Sequence, residues 1–265
     1  MGCPQCGFAL PTDAVKCPTC GLGADAHLRP PAGAPPRPVH GRAVAVVAAL
    51  ALWSVVELFA GVIGAIRFSL IGRTAAGEPS SAGDARSLDD LYDLSSDLRL
   101  GVLAVAAAVY IVWLFRARAN AEGLSWVQHR HGRPWLVVAW VVPIANLFVP
   151  RRIIDDIWLS SRPGPPPDGR RAERPSWLVF LWWTAYLVYF FGIRATENTL
   201  ERMLEEDALP WLARLEVARP LAGVAAAVLA ALVVWRISGF QELRRTAGVA
   251  ADVPGGERSG ALDAS

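Results

Sequence analysis

The sequence predicts an all-α membrane protein, and three observations predict it. Hydrophobic residues make up 53% of the 265-residue chain, above the usual share of a soluble domain. Four apolar stretches approach or exceed the roughly 20 residues that a helix rising about 1.5 Å per residue needs to cross a core of about 30 Å. Arginines gather in the segments that would lie on one side of those stretches. Basic and acidic totals of 26 and 24 nearly cancel, so charge gives no reason to expect nucleic acid as a partner.

The first element in chain order is a cysteine module, residues 1–23. "CPQCG" and "CPTCG" set Cys3, Cys6, Cys17 and Cys20 in a C-x2-C-x10-C-x2-C spacing. Two thiolates two residues apart reach one tetrahedral metal from a tight turn, and the glycine after each pair suits the positive φ such turns often need. Phe8, Leu10 and Val15 are too few to fold the segment without a metal. The stretch "CPQCGFALPTDAVKCPTCG" resembles short bacterial zinc ribbons of the pattern CPxCGxxLPxxAxxCPxCG. Four thiolates close the coordination shell, so the expectation is one structural Zn2+. A disulfide pair is the alternative and requires an oxidising compartment.

Residues 24–42 are rich in Pro, Ala and Gly and lack apolar periodicity, as a semi-extended linker does. With a full cysteine shell, His27 and His40 are not needed as ligands. No cleavable leader pattern precedes the first apolar run near Ala43, so the first span reads as an uncleaved signal anchor.

The expected crossings are residues 43–66, 98–115, 177–194 and 219–237. Between the second and third lies "WLVVAWVVPIANLFVPRRIIDDIW", residues 135–158. Its apolar part, bounded by Pro134 and Pro150, covers only about 22 Å as a helix, and Pro143 removes a backbone donor in the middle. Segments 116–134 and 150–176 are both rich in arginine. They share the cytoplasmic side only if residues 135–149 enter and leave by the same face. A re-entrant or interfacial element is therefore expected, with both termini cytoplasmic. The charged helix after it would pair Arg151 with Asp155 and Arg152 with Asp156 and lay Ile153, Ile154 and Ile157 against the membrane. Trp113, Trp135, Trp177 and Trp235 fall near inner ends, as an aromatic belt would have them. Matching "IVWLFRARANAE" to "VVWRISGFQELR" at Trp113 and Trp235 hints at a parallel two-fold repeat. The acidic outer segments, including "SLDDLYDLSSDL", carry apolar residues at helical spacing and are expected as short helices or helix extensions. Residues 43–245 thus form the helical transmembrane domain and 246–265 a disordered tail.

Three stretches carry a family resemblance. "FRARANAEGL" (115–124), "GRPWLVVAWVVPIANLFVPRRIIDDIW" (132–158) and "WLVFLWWTAYLV" (177–188) resemble an actinobacterial membrane domain, domain of unknown function 4328, over roughly residues 43–245. The resemblance implies a polytopic helical domain, often preceded by a zinc ribbon or a proline-rich segment, and implies no activity.

Four polar residues are functional candidates. Glu57 lies inside the first span, where a carboxylate is a candidate by default, and Arg67 or Arg73 is its expected partner. Asn146, beside a proline in an apolar segment, must bond broken backbone or a neighbouring helix. Arg118 and Glu122 have i,i+4 spacing on an extension of the second helix, read as a solvated, charge-laced end or a docking surface. "HRH" at 129–131 reads as a solvated basic loop, and no catalytic signature occurs, so an enzyme is not expected. The favoured expectation is a scaffold or sensor that engages a protein partner through the ribbon, with the lipid bilayer as the other partner and a homo-oligomer compatible with both. The alternative is a small-solute or ion transporter or channel using the broken helix around Pro143 and Asn146.

Overall fold

The computed structural model describes residues 36–79, 81–124, 129–163, 176–193 and 209–252. The four cysteines and most of the linker lie outside the described residues. All regular structure described is helical: α1 (His40–Ala75), α2 (Ala82–Leu124), α3 (Trp135–Val141), α4 (Pro143–Asn146), α5 (Val149–Ser161), α6 (Trp177–Leu187), which passes into a π-helical turn (Val188–Ile193), and α7 (Leu209–Asp252). Helical structure therefore begins inside the stretch read as linker and runs seven residues into the stretch read as tail.

Three helices are long and apolar enough to cross a membrane, His40–Thr74, Gly83–Leu124 and Val217–Ala247. The fourth expected crossing is helical over Trp177–Ile193, about 25 Å by the α-helical rise and short of a core of about 30 Å. Among the described residues three helices thus meet the length and composition of a span, and the fourth apolar helix is described only as far as Ile193. The outer segment "SLDDLYDLSSDL" is a continuous extension of α2, because nothing between Ala82 and Leu124 interrupts the backbone ladder.

α1 is central and packs along α2 on one side and α7 on the other. Small residues let the backbones approach. A Cβ on Gly61 would stand 2.6 Å from Pro220 Cγ, and one on Gly223 would stand 2.9 Å from both Trp53 and Tyr189. Such contacts replace the hydrophobic drive that helices lack in lipid. The main apolar core lies toward the other end of the bundle, where Ala43, Val46, Leu114, Leu136, Val179 and Val234 meet.

The stretch 135–161 is three short helices. Val142 is extended (φ −79°, ψ 116°), as the residue before a proline tends to be, and this separates α3 from α4. A second turn through Leu147 and Phe148 leads to α5, which has Pro150 in its first turn. α5 returns against α3, and Arg130, just before α3, binds Asp156 in the middle of α5. The chain therefore doubles back on itself here.

Two expectations about α5 are corrected. Ile153, Ile154 and Ile157 are buried in the core rather than laid on the membrane, because α2, α3, α6 and α7 all pack against this short helix. Arg151 pairs with Asp155 at 3.6 Å, but Asp156 pairs with Arg130 instead of Arg152. Trp135, Trp177 and Trp235 are exposed, as a belt requires, whereas Trp113 is fully buried and donates to Ser238 Oγ (3.0 Å). Trp113 and Trp235 therefore occupy unlike environments, which removes the support for an internal repeat.

Candidate functional site

Polar side chains inside the bundle form two layers. The layer at the end where Arg37 enters α1 is built on Asn120 and Gln241. Arg37 N–H donates to Asn120 Oδ1 (3.0 Å), and Asn120 Nδ2 donates to the Arg37 carbonyl (2.9 Å) and to Gln241 Oε1 (3.1 Å). Gln241 Nε2 donates to the Ala117 carbonyl (2.8 Å) and Ser161 Oγ (2.9 Å). Arg244 Nη1 caps the carbonyls of Leu124 and Ser160, each at 3.1 Å. Carbonyls at helix ends have no intrahelical donor, so these side chains close the ends of α2 and α5. A buried amide with all its groups bonded also fixes helix register.

Arg118 and Glu122 sit beside this layer. The expected pair is present at 2.8 Å, but Arg118 is only 4% exposed, so this is not a solvated helix end. Arg118 Nη2 donates to the His131 carbonyl (2.9 Å) and Arg133 Nη2 to Glu122 Oε2 (2.7 Å). The pair thus fastens the 129–133 segment onto α2. Arg130 completes the fastening through Asp156 (2.8 Å). His129 and His131 are half-buried rather than solvated. Burial is the largest influence on both, pulling His129 down from 6.5 to about 4 and His131 in the same direction, helped by nearby arginines.

Asn146 lies at the break of the short helices, where Nδ2 donates to the Trp140 carbonyl (3.2 Å) and Oδ1 accepts from the Tyr186 hydroxyl (3.3 Å). Trp183 Nε1 donates to the Leu147 carbonyl (3.1 Å). These bonds satisfy carbonyls that the breaks between the short helices leave without helical donors, which non-helical backbone at membrane depth requires.

The other layer is built on Glu57. Its carboxylate is fully buried and lies 3.8 Å from Arg99 Nε on α2 and 3.7 Å from Arg219 Nε on α7. Tyr189, in the π-helical turn, carries its hydroxyl against the same carboxylate, and its ring meets Trp53 edge-on at 5.7 Å. A π turn widens the helix locally and re-aims a side chain. Arg67 and Arg73, the expected partners, bind Asp89 (2.7 Å) and Glu78 (2.6 Å) instead. Those two arginines lie further along α1 and meet carboxylates beyond the apolar run. Among the described residues neither Glu57 oxygen accepts a hydrogen bond. Along α1, α2 and α7 the two layers are about 25 to 33 Å apart at the α-helical rise, which matches a hydrocarbon core of about 30 Å.

Arg99, Arg219, Tyr189 and Gln241 were not singled out by sequence. A signal for the arginines existed: each stands at the outer edge of an expected span, at the depth of Glu57. No group of three or more His, Cys, Asp or Glu side chains suited to a metal occurs among the described residues, and the predicted ligands Cys3, Cys6, Cys17 and Cys20 lie outside them.

A family model described as a domain of unknown function (DUF4328) matches residues 73–239, a narrower range than the 43–245 expected from resemblance. Arg99, Arg118, Glu122, Asn146 and Arg219 fall within the match, while Glu57 and Gln241 fall outside it. No curated protein and no solved structure matches the chain.

Proposed function

We infer that this chain, which belongs to the DUF4328 family of unknown function, is a non-enzymatic scaffold or sensor of the cytoplasmic membrane. In this reading Cys3, Cys6, Cys17 and Cys20 hold one structural zinc ion in a small module, and the helical bundle anchors that module to the inner face. The observation that carries it is the clamp on Arg37. The segment linking the cysteine module to the bundle is gripped at its backbone N–H and carbonyl by Asn120, which binds Gln241 in turn. A pull or a binding event on the module is thereby coupled to the positions of α1, α2 and α7.

A transporter or channel needs a wet path to its polar groups. Asn146 has partners on both sides of its amide, and Glu57 is fully buried. Neither of the two clefts described, one beside α5 and α6 and one between α1 and α7, is lined by either residue. The bonded amide of Asn146 and the ion-paired, water-excluded carboxylate of Glu57 support the scaffold instead.

The test is recovery of partners from native membranes with the full chain and with a variant lacking residues 1–24. Loss of the partner set with the deletion is expected, and an unchanged set overturns the reading. A reporter fused after Ala261 should signal from the cytoplasm, since Arg37 and Gln241 meet at one end of the bundle through Asn120.

A further inference from the structure

We propose that the groove between α5 and α6 is a binding site for an anionic phospholipid, a site that the scaffold reading neither requires nor implies. The groove encloses about 580 Å³, and its wall combines Arg130, Arg151 and Arg152 with Leu147, Phe180 and Leu187. Arginines at one end and apolar walls along the rest match a molecule with a phosphate at one end and acyl chains at the other.

Charge decides the headgroup class. Arg130 is paired with buried Asp156, and Arg151 with Asp155, which also lines the groove. Arg152 is exposed and makes no ion pair among the described residues. Among the described residues, three guanidinium groups stand against two carboxylates, an excess of one positive charge that suits a headgroup of net charge −1. Arg151 is also held in place for such a ligand. Its guanidinium lies over the Phe180 ring at 5.1 Å, and its Nε stands 3.6 Å from Asp155 Oδ2, an ion pair too long for a hydrogen bond. A guanidinium held by a ring and by a long ion pair keeps donors available to a phosphate oxygen.

Depth decides that the ligand is a lipid rather than a soluble anion. Phe180 is one turn into α6, just past exposed Trp177, and Leu187 is two turns further on, about 10 Å deeper by the helical rise. Phe148 and Phe180 are both about half exposed along this wall, so the groove opens sideways, toward where acyl chains run. A guanidinium at the headgroup boundary with an aromatic and aliphatic wall below it is how a helical membrane protein meets a single lipid.

The test uses the full chain in detergent, mixed with phosphatidylglycerol or with phosphatidylcholine, and reads lipid retention by native mass spectrometry. Wild type should retain phosphatidylglycerol in preference to phosphatidylcholine. Arg152→Gln, at an exposed position with no ion pair among the described residues, should lower phosphatidylglycerol retention about fivefold. Arg151→Gln should lower it further, and Arg152→Lys should restore most of it. Arg236→Gln, exposed on α7 away from the groove, should leave retention unchanged. Equal retention of the two lipids, an equal loss in Arg236→Gln, or saturation of the effect by inorganic phosphate alone would each overturn the proposal.

Discussion

Arg219 Nε lies 3.7 Å from Glu57 Oε1, so an ion pair joins α7 to α1 where the carboxylate has no access to water. Arg99 approaches the other oxygen from α2, and one acid therefore joins the three long helices. Removing one member of a buried ion pair leaves an uncompensated charge. Glu57→Gln, which sets two guanidinium groups against each other, should cost about 3 kcal/mol. Arg99→Gln should cost less, because that side chain is partly exposed. Thermal unfolding in detergent measures both, and a Glu57→Gln protein as stable as wild type would remove the contact's structural importance.

Close approach of α1 and α7 depends on Gly61. A Cβ there would stand 2.6 Å from the Pro220 ring, which cannot rotate away. Gly61→Ala should therefore destabilise by about 1 to 3 kcal/mol through overpacking. Gly101→Ala is the matched comparison, since nothing lies within 4 Å of the added atom, and helix propensity alone should make it neutral or stabilising by up to about 1 kcal/mol. Equal melting temperatures for the two variants would contradict this packing.

The Asn120 clamp predicts a local effect. Asn120→Leu leaves the Arg37 backbone groups and the Gln241 amide short of partners, at a cost of about 1 to 3 kcal/mol. Amide exchange at Arg37 should accelerate strongly while exchange in the middle of α7 stays near wild type. Unchanged protection at Arg37 would mean that the clamp does not form.

Acid should loosen the 129–133 segment. Burial holds His129 near 4 against an ordinary 6.5, so the unfolded segment binds a proton that the folded one does not. The contribution is fully present above about pH 6.5 and is lost as pH falls toward 4, by on the order of 1 kcal/mol once partial solvation is discounted. His131 shifts in the same direction and adds to it. His129→Gln should flatten the fall in melting temperature across this window, and parallel profiles for the two proteins would rule out His129 as the cause.

Several features were legible in the chain because they are local. The break at Pro143 follows from the missing donor and from the constraint on Val142. The Arg118–Glu122 and Arg151–Asp155 pairs follow from helical spacing, and Asn146 had to find partners wherever the chain placed it. Ile153, Ile154 and Ile157 show where local reading fails. Their pattern gives an apolar stripe, but a stripe does not say whether lipid or protein covers it, and here α2, α3, α6 and α7 do. Glu57 fails for a related reason. Its nearest arginines in sequence were the expected partners, yet they lie further along α1, outside the apolar layer, while Arg99 and Arg219 reach its depth from other helices.

The sequence by itself determined that long apolar helices form and that the stretch 135–149 is broken at Pro143, since helical rise and proline geometry act on each segment alone. Only the tertiary structure decided which charges meet at Glu57, that Asn120 grips the entry to α1, and that the isoleucines of α5 turn inward. Those outcomes depend on the rotation and register of helices far apart in the chain, which are set by close packing at Gly61 and Gly223 and by the joint satisfaction of buried polar groups.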